Sequence, residues 1–155
     1  MRSPQVIVLE SDGWLAKQLR ELAGESRWLV QSARSADTAL SLARRQPAVL
    51  VVQFEAEDKP DRLGLIAEAH RTAPDVPVVA IADMKLPDAE RTPWTAALLD
   101  LGARYVLFPP LTKSVLEDAV SGLMAAAVRR VVGEAAPPAP SRDGVIDLAD
   151  GGAEA

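Results

Sequence analysis

The chain has 155 residues, of which 48% are hydrophobic and 25% are charged, and its formal net charge is −5. This length suits one domain, which buries roughly 70% of its unfolded surface, and the composition is that of a globular protein. There is no cysteine, which excludes disulfides and thiolate metal sites. His70 is the single histidine, and this argues against a histidine metal site or a Ser-His-Asp triad.

The charges are unevenly distributed along the chain. Residues 134–155 contain five acidic residues against Arg142 alone, which leaves the rest of the chain close to neutral and without a basic patch. We therefore expect no binding to nucleic acid or to an anionic membrane. No apolar run reaches the length of a bilayer span. The N-terminal run Val6–Leu9 is also too short for a signal peptide, so a cytoplasmic location is predicted.

Segments with strand character alternate with amphipathic helical segments. The predicted strands are Gln5–Glu10, Trp28–Ser32, Ala48–Phe54, Pro77–Ala82 and Arg104–Phe108, which are rich in β-branched residues. The predicted helices run from Asp12 to Gly24, from Ser35 to Pro47, from Leu63 to Thr72, from Thr92-Pro93 to Gly102, and from Thr112 or Ser114 to about Gly133, between capping and helix-ending residues.

Five strand–helix units in succession indicate a parallel sheet with helices on both of its faces. Residues 1–133 are the predicted domain. Residues 134–155 are rich in Ala, Pro, Gly and acidic residues and are predicted to form a disordered tail. The tail holds one apolar island, Val145–Leu148, which is either a short docking motif or part of a plain solubilising tail.

Five short sequences follow one another within about residues 4–132: VIVLESD, RWLVQSARSADTAL, PAVLVVQ, DVPVVAIAD and LGARYVLFPP. In this order and at this spacing they resemble the strand regions of response-regulator (CheY-like) receiver domains. The resemblance implies an α/β, flavodoxin-like, doubly wound parallel sheet of five strands in the order 2-1-3-4-5, with five helices. It also implies signal transduction in a two-component system, and a cis peptide bond between Pro109 and Pro110.

The positions that carry the chemistry of receivers depart from the family pattern. The phosphoacceptor aspartate falls on Gln53, and the acidic pair after the first strand falls on Glu10 and Ser11. The hydroxyl residue that ends the fourth strand falls on Ala82, and the family's lysine falls on Pro109. Aspartyl phosphorylation needs a carboxylate nucleophile, a hard cation held by oxygens and positive charge on the transferring oxygens. The resemblance therefore points to a pseudo-receiver that keeps the fold and has lost phosphotransfer, with no catalytic activity, cofactor or metal.

Two groups of polar residues near this position have alternative interpretations. Gln53 either holds the former pocket in one state, through hydrogen bonds to Ser11 and nearby backbone, or is an ordinary satisfied residue at a strand end. The acidic residues either bind a divalent cation weakly or are solvated loop acids and a helix cap; they are Glu10, Asp12, Glu55 and Asp83.

The last helix carries apolar pairs at a spacing of four residues, from Val115/Leu116 to Val131/Val132. Each step of four advances about 400°, so the apolar stripe drifts by about 40° per step. Its second half is expected to wrap past the sheet edge or to pack on another chain. In receivers the fourth helix, fifth strand and last helix form the usual partner surface. The interface candidates are Trp94, Leu98, Tyr105, Val106, Met124, Val128, Val131 and Val132.

The sequence therefore predicts a non-phosphorylatable, stand-alone receiver-like module that signals by contact with another protein. A second copy of the chain is one such candidate partner. Two alternatives remain. One is a response regulator phosphorylated at a non-standard acidic residue, Glu55 or Asp83. The other is a receiver-like domain that binds a small ligand at the strand ends, although the first strand–helix turn, ESDGW, lacks a glycine-rich phosphate loop.

Overall fold

The computed structural model describes residues 4–11, 13–24, 28–45, 47–54, 60–82 and 87–135, without the side chains of residues 60, 61 and 130–135. The strands are β1 (Gln5–Leu9), β2 (Leu29–Ala33), β3 (Ala48–Phe54), β4 (Val78–Ala82) and β5 (Tyr105–Leu107). The helices are α1 (Trp14–Ala23), α2 (Ala36–Arg45), α3 (Pro60–Thr72), α4 (Asp88–Leu101) and α5 (Lys113–Ala135).

The five strands form one parallel sheet in the order β2-β1-β3-β4-β5. The predicted flavodoxin-like fold with five helices is therefore confirmed. β1, β3 and β4 are buried along their whole length, which explains why they appear in the sequence as continuous apolar runs rather than alternating ones.

The sheet separates two hydrophobic cores, because successive side chains of a strand point to opposite faces. On one face, Leu50, Val52 and Phe54 of β3 pack with residues of α2, α3 and α4. On the other face, Val49 and Val51 pack with residues of α1 and α5. By the same alternation, Gln53 belongs to the face that α1 and α5 cover.

Helix α4 begins one turn earlier than the sequence predicts. The predicted start at Thr92-Pro93 is wrong, because the helix begins at Asp88 and Pro93 lies inside it. The Pro87 carbonyl accepts hydrogen bonds from the Glu90 and Arg91 N–H groups at 2.9 and 3.2 Å. Acidic residues in this first turn are also favourable at the positive end of the helix dipole, and together these contacts outweigh the hydrogen bond that an interior proline cannot donate.

The ends of the chain's other elements agree with the predictions to within a few residues. Helix α5 continues to Ala135, past its predicted end near Gly133. The predicted tail from residue 136 onward, with its apolar island, lies outside the described residues. The peptide bond between Pro109 and Pro110 is cis, as the resemblance implied.

Gly102 ends α4 and brings the chain close to α3. Its φ is 119°, and a Cβ built at this position would lie 2.4 Å from the Cβ of His70. Gly13, before α1, has a φ of 81°, but nothing lies within 4 Å of a Cβ built there. A side chain at Gly102 would therefore meet both backbone strain and a steric clash, whereas a side chain at Gly13 would meet backbone strain alone.

We predict that Gly102→Ala lowers the free energy of unfolding by about 3 kcal/mol, because it adds overpacking to the strain of a left-handed residue. Gly13→Ala, the matched control, adds the strain alone and should cost about 1 kcal/mol. Urea denaturation of both variants measures the difference. Equal losses would contradict the close approach of α4 and α3 at Gly102.

Candidate functional site

The carboxyl edge of the sheet brings together the positions that the resemblance singled out. Ser11 follows β1, Gln53 lies near the end of β3, and the backbone N–H of Ser11 donates a hydrogen bond to Gln53 Oε1 at 2.9 Å. Gln53 is 6% exposed. Ala82, Pro109 and Gln53 line one common cleft. Gln53 thus makes the contact with Ser11 that one interpretation of the sequence expected.

Glu10 holds the start of α1. Its two carboxylate oxygens accept hydrogen bonds from the backbone N–H groups of Leu15 and Ala16, at 2.6 and 2.7 Å. The residue before the helix, Gly13, provides no side-chain cap. A carboxylate at a helix N-terminus satisfies donors that lack an intrahelical partner and also interacts favourably with the helix dipole. Glu10 therefore acts as a cap of α1, a role that the sequence predicted for Asp12, which lies outside the described residues.

Arg62 is the residue of this site that the sequence analysis missed. Its side chain is 9% exposed, and Nη1 donates a hydrogen bond to the Gln53 carbonyl at 2.8 Å. Nη2 donates to Ser11 Oγ at 3.0 Å. One guanidinium therefore connects α3 with the end of β3 and with the residue after β1. The spacing of Arg62 could have indicated that it is buried, because it stands three and four residues before Leu65 and Ile66, on the buried side of α3.

The buried guanidinium changes the electrostatics of the site. In the receiver pattern the residue at Ser11 would touch a divalent cation, whereas here its hydroxyl accepts a hydrogen bond from a positive charge. A second cation placed beside Arg62 would be repelled. Among the residues described by the structure, no three acidic or histidine side chains come together as a metal site. Asp12, Glu55 and Asp83 lie outside those residues, so their predicted clustering stays a prediction.

A cleft of about 370 Å³ lies beside Gln53 at the same edge. The other described residues that line it are Trp14, Leu15, Ile81, Ala82, Pro109, Pro110 and Leu111, and none of these carries a charge. The Gln53 amide is not a carboxylate nucleophile, and neither Ala82 nor Pro109 supplies a hydroxyl or an ammonium group. The described lining of the cleft therefore offers apolar contact and amide hydrogen bonding.

The predicted interface residues separate into buried and exposed groups. Leu98 and Met124 are 0% and 2% exposed, so their assignment to a surface is wrong. Both belong to the hydrophobic cores beneath α4 and α5. Trp94 is half-buried and stacks on Phe54 with ring centroids 5.4 Å apart, so much of its surface completes the core.

The other five residues of the predicted interface are Tyr105, Val106, Val128, Val131 and Val132. Tyr105 and Val128 are exposed, and Val106 is half-buried. Tyr105 pairs with Val79 and Val106 with Ala80, residues that belong to opposite faces of the sheet. The side chains of Val131 and Val132 lie outside the described residues, so their role stays a prediction.

The buried residues of α5 do not coincide with the apolar pairs that the sequence shows every four residues. The buried residues are Leu116, Val120, Leu123, Met124 and Ala127, which follow one face of a straight helix. Val115 and Val128 are 45% and 40% exposed. The core-facing stripe therefore continues as far as Ala127, beyond the first half that the sequence assigned to the sheet.

A groove of about 480 Å³ lies between α4 and β5. Leu99, Val106 and Phe108 form its apolar part, and the Arg91 guanidinium lies over the Phe108 ring at 5.5 Å from the ring centroid. Leu99 is 47% exposed and was not predicted. Leu99 lies about 100° around the helix axis from the buried Leu98, on the side of α4 that faces this groove.

Most of the large exposed hydrophobic side chains lie on the last three elements of the fold. Of the six large hydrophobic side chains that are exposed among the described residues, four lie on α4, β5 or α5. These four are Leu99, Tyr105, Val115 and Val128. We call the surface formed by α4, β5 and α5 the α4–β5–α5 surface. None of the helices within the described ranges is long and apolar enough to cross a membrane.

The comparisons with known proteins bear on the fold. Neither a protein-family model nor a curated protein matches the chain. Solved structures do match. A signal receiver domain from Vibrio parahaemolyticus has a TM-score of 0.67 at 14% identity and covers 86% of this chain and 98% of its own. The chain has the fold of a receiver domain.

Two further solved receivers agree with this result. The signal receiver domain of an HD domain-containing protein from Pseudomonas fluorescens has a TM-score of 0.65 at 20% identity, covering 85% of this chain and 94% of its own. The receiver domain of NtrX from Brucella abortus has a TM-score of 0.62 at 17% identity, covering 77% and 98%. Receiver folds at this level of identity establish architecture, so the function has to be argued from the site.

We predict that Arg62→Met lowers the free energy of unfolding by about 1–3 kcal/mol, because it leaves the Gln53 carbonyl without its buried donor. Urea denaturation measures the loss. Arg71→Met is the matched control on the same helix. Arg71 is exposed and pairs with Glu68, whose carboxyl pKa it lowers through a charge-assisted hydrogen bond, and its replacement should leave stability nearly unchanged. Equal effects of the two substitutions would contradict a structural role for the buried guanidinium.

Proposed function

We propose that this chain is a receiver-fold signalling module that does not carry out aspartyl phosphotransfer and acts by contact with a protein partner through the α4–β5–α5 surface. The observation that carries the proposal is the hydrogen-bonded arrangement of Ser11, Gln53 and Arg62 at the carboxyl edge of the sheet. These groups contact one another in a way that leaves the phosphotransfer reaction without its essential parts.

The nucleophile, the carboxylate and the cation that phosphotransfer needs are each replaced or engaged differently in this chain. The nucleophile position holds the Gln53 amide, whose oxygen accepts a hydrogen bond from Ser11. The carboxylate of Glu10 is engaged by the first turn of α1. The cation is a guanidinium fixed on α3, whereas phosphoryl transfer relies on a metal ion that bridges carboxylate and phosphoryl oxygens. This arrangement supports a function that needs no phosphorylation.

The exposed apolar residues support protein contact as the means of action. Leu99, Tyr105, Val115 and Val128 leave large apolar side chains in solvent within one region of the fold. Exposed apolar side chains that adjoin one another in a patch are typical of interaction sites. Tyrosine in particular is enriched at the centres of protein interfaces. The resemblance to receivers, whose usual partner surface is formed by the same elements, supports this proposal, and a second copy of the chain is the partner that can be tested directly.

We predict that the protein gains no phosphoryl mass when it is incubated with acetyl phosphate and Mg²⁺, because Gln53 is not a carboxylate nucleophile and the Arg62 guanidinium already bonds to the Ser11 hydroxyl. Intact-protein mass spectrometry measures the result, and a receiver with an aspartate acceptor serves as the reaction control. A gain of one phosphoryl group that disappears in Glu55→Gln or Asp83→Asn would overturn the proposal and establish phosphorylation at a non-standard acidic residue.

We predict that the protein self-associates at micromolar concentration and that Leu99→Asp and Tyr105→Asp each raise the dissociation constant at least tenfold, equivalent to about 1.4 kcal/mol. Leu29→Asp is the matched control, since Leu29 is 53% exposed but lies on the opposite edge strand of the sheet. Sedimentation velocity over a range of concentrations measures all four proteins. A monomer at every concentration, or an equal effect of Leu29→Asp, would contradict self-association through this surface.

A further inference from the structure

The cleft beside Gln53 has the size and lining of a small-molecule site. Its volume is about 370 Å³, within the range of roughly 300–1,000 Å³ that is typical of ligand pockets. Its apolar walls come from three parts of the chain, namely the start of α1, the end of β4 and the connection between β5 and α5. The residues that form these walls include Trp14, Ile81, Ala82, Pro109, Pro110 and Leu111.

One polar group that lines this cleft makes no hydrogen bond with a described residue. Gln53 is 6% exposed, and its Oε1 accepts the hydrogen bond from Ser11. Its Nε2, which carries two donor hydrogens, makes no hydrogen bond with any residue that the structure describes. An amide nitrogen that lines a cleft and has no protein acceptor can donate a hydrogen bond to a bound acceptor atom. The amide nitrogen therefore marks a position in an otherwise apolar cleft where an acceptor atom would be favourable.

We propose that this cleft binds a small, neutral, largely apolar molecule that carries one carbonyl-type acceptor, which takes a hydrogen bond from Gln53 Nε2. The apolar body of the ligand would contact Trp14, Ile81 and the proline rings of residues 109 and 110. A neutral molecule is favoured because none of the described residues that line the cleft is charged, and a buried charge without a partner is strongly unfavourable.

The proposed site excludes phosphate and carboxylate ligands for a further reason. The cation nearest in the hydrogen-bond network, Arg62, donates to the Gln53 carbonyl and to Ser11 Oγ, and it is not among the residues that line the cleft. The site is also separate from the exposed residues of the α4–β5–α5 surface. The proposal of a ligand site can therefore be tested separately from the proposal of self-association.

The test compares two probes of nearly identical shape in the full chain. Acetophenone carries a carbonyl oxygen, and α-methylstyrene carries a methylene group in its place. Two-dimensional ¹H–¹⁵N NMR should show that acetophenone shifts the side-chain amide signals of Gln53 and the indole signal of Trp14, and that it binds roughly fivefold more tightly than α-methylstyrene. Gln53→Glu keeps an acceptor for Ser11 but removes the amide donor, and it should abolish this preference.

A second variant tests the apolar wall without touching the core. Trp14 is 42% exposed, so Trp14→Ala should preserve the fold and weaken both probes at least threefold. Leu29→Ala, at the far edge strand, should leave both affinities unchanged. Absence of shifts at Gln53 and Trp14, equal binding of the two probes, or shifts confined to the α4–β5 groove would each overturn the proposal. Because the Gln53 shift is read in the unmodified protein, the test does not depend on the folding of any variant.

Discussion

The hydrogen bonds of the Arg62 guanidinium are the constraint on which the carboxyl edge of this protein depends. They connect α3 to the Gln53 carbonyl and to the Ser11 hydroxyl, and Ser11 in turn donates to the Gln53 side chain. Three elements are thereby fixed around a buried positive charge that belongs to the chain itself. A receiver of the family pattern would use carboxylates and a metal ion at this edge, so the same fold here supports a site of different chemistry.

Much of the fold could be predicted because its signals are local. Continuous β-branched runs such as Ala48–Phe54 and the alternation of strands with helices determine a doubly wound sheet. The contact between Gln53 and Ser11 followed from the resemblance, which placed both residues at adjacent strand ends. The role of Arg62 could not be predicted in this way, because it depends on contacts with residues 9 and 51 positions away in sequence. The exposure of Leu99 likewise depends on how α4 rotates against the sheet.

The two candidate surfaces meet at one short segment. Val106 and Phe108 line the groove between α4 and β5, whereas Pro109, Pro110 and Leu111 line the cleft beside Gln53. Arg91 of α4 contacts both sides of this boundary, since its guanidinium lies over the Phe108 ring and Nη2 donates a hydrogen bond to the Pro109 carbonyl at 3.2 Å. Residues 106–111 thus give the receiver fold a direct physical connection between its strand-end cleft and its exposed apolar surface.

The central claim is that the internal hydrogen bonds of Ser11, Gln53 and Arg62 replace the metal and the phosphoryl group. A titration with Mg²⁺ and beryllofluoride, a phosphoryl mimic, tests it most directly when the backbone amide signals of Ser11 and Gln53 are followed by ¹H–¹⁵N NMR. The account predicts that both signals stay in place at millimolar Mg²⁺, with or without the mimic. A saturable shift of either signal would contradict it, because an ion would then be entering the position that Arg62 occupies.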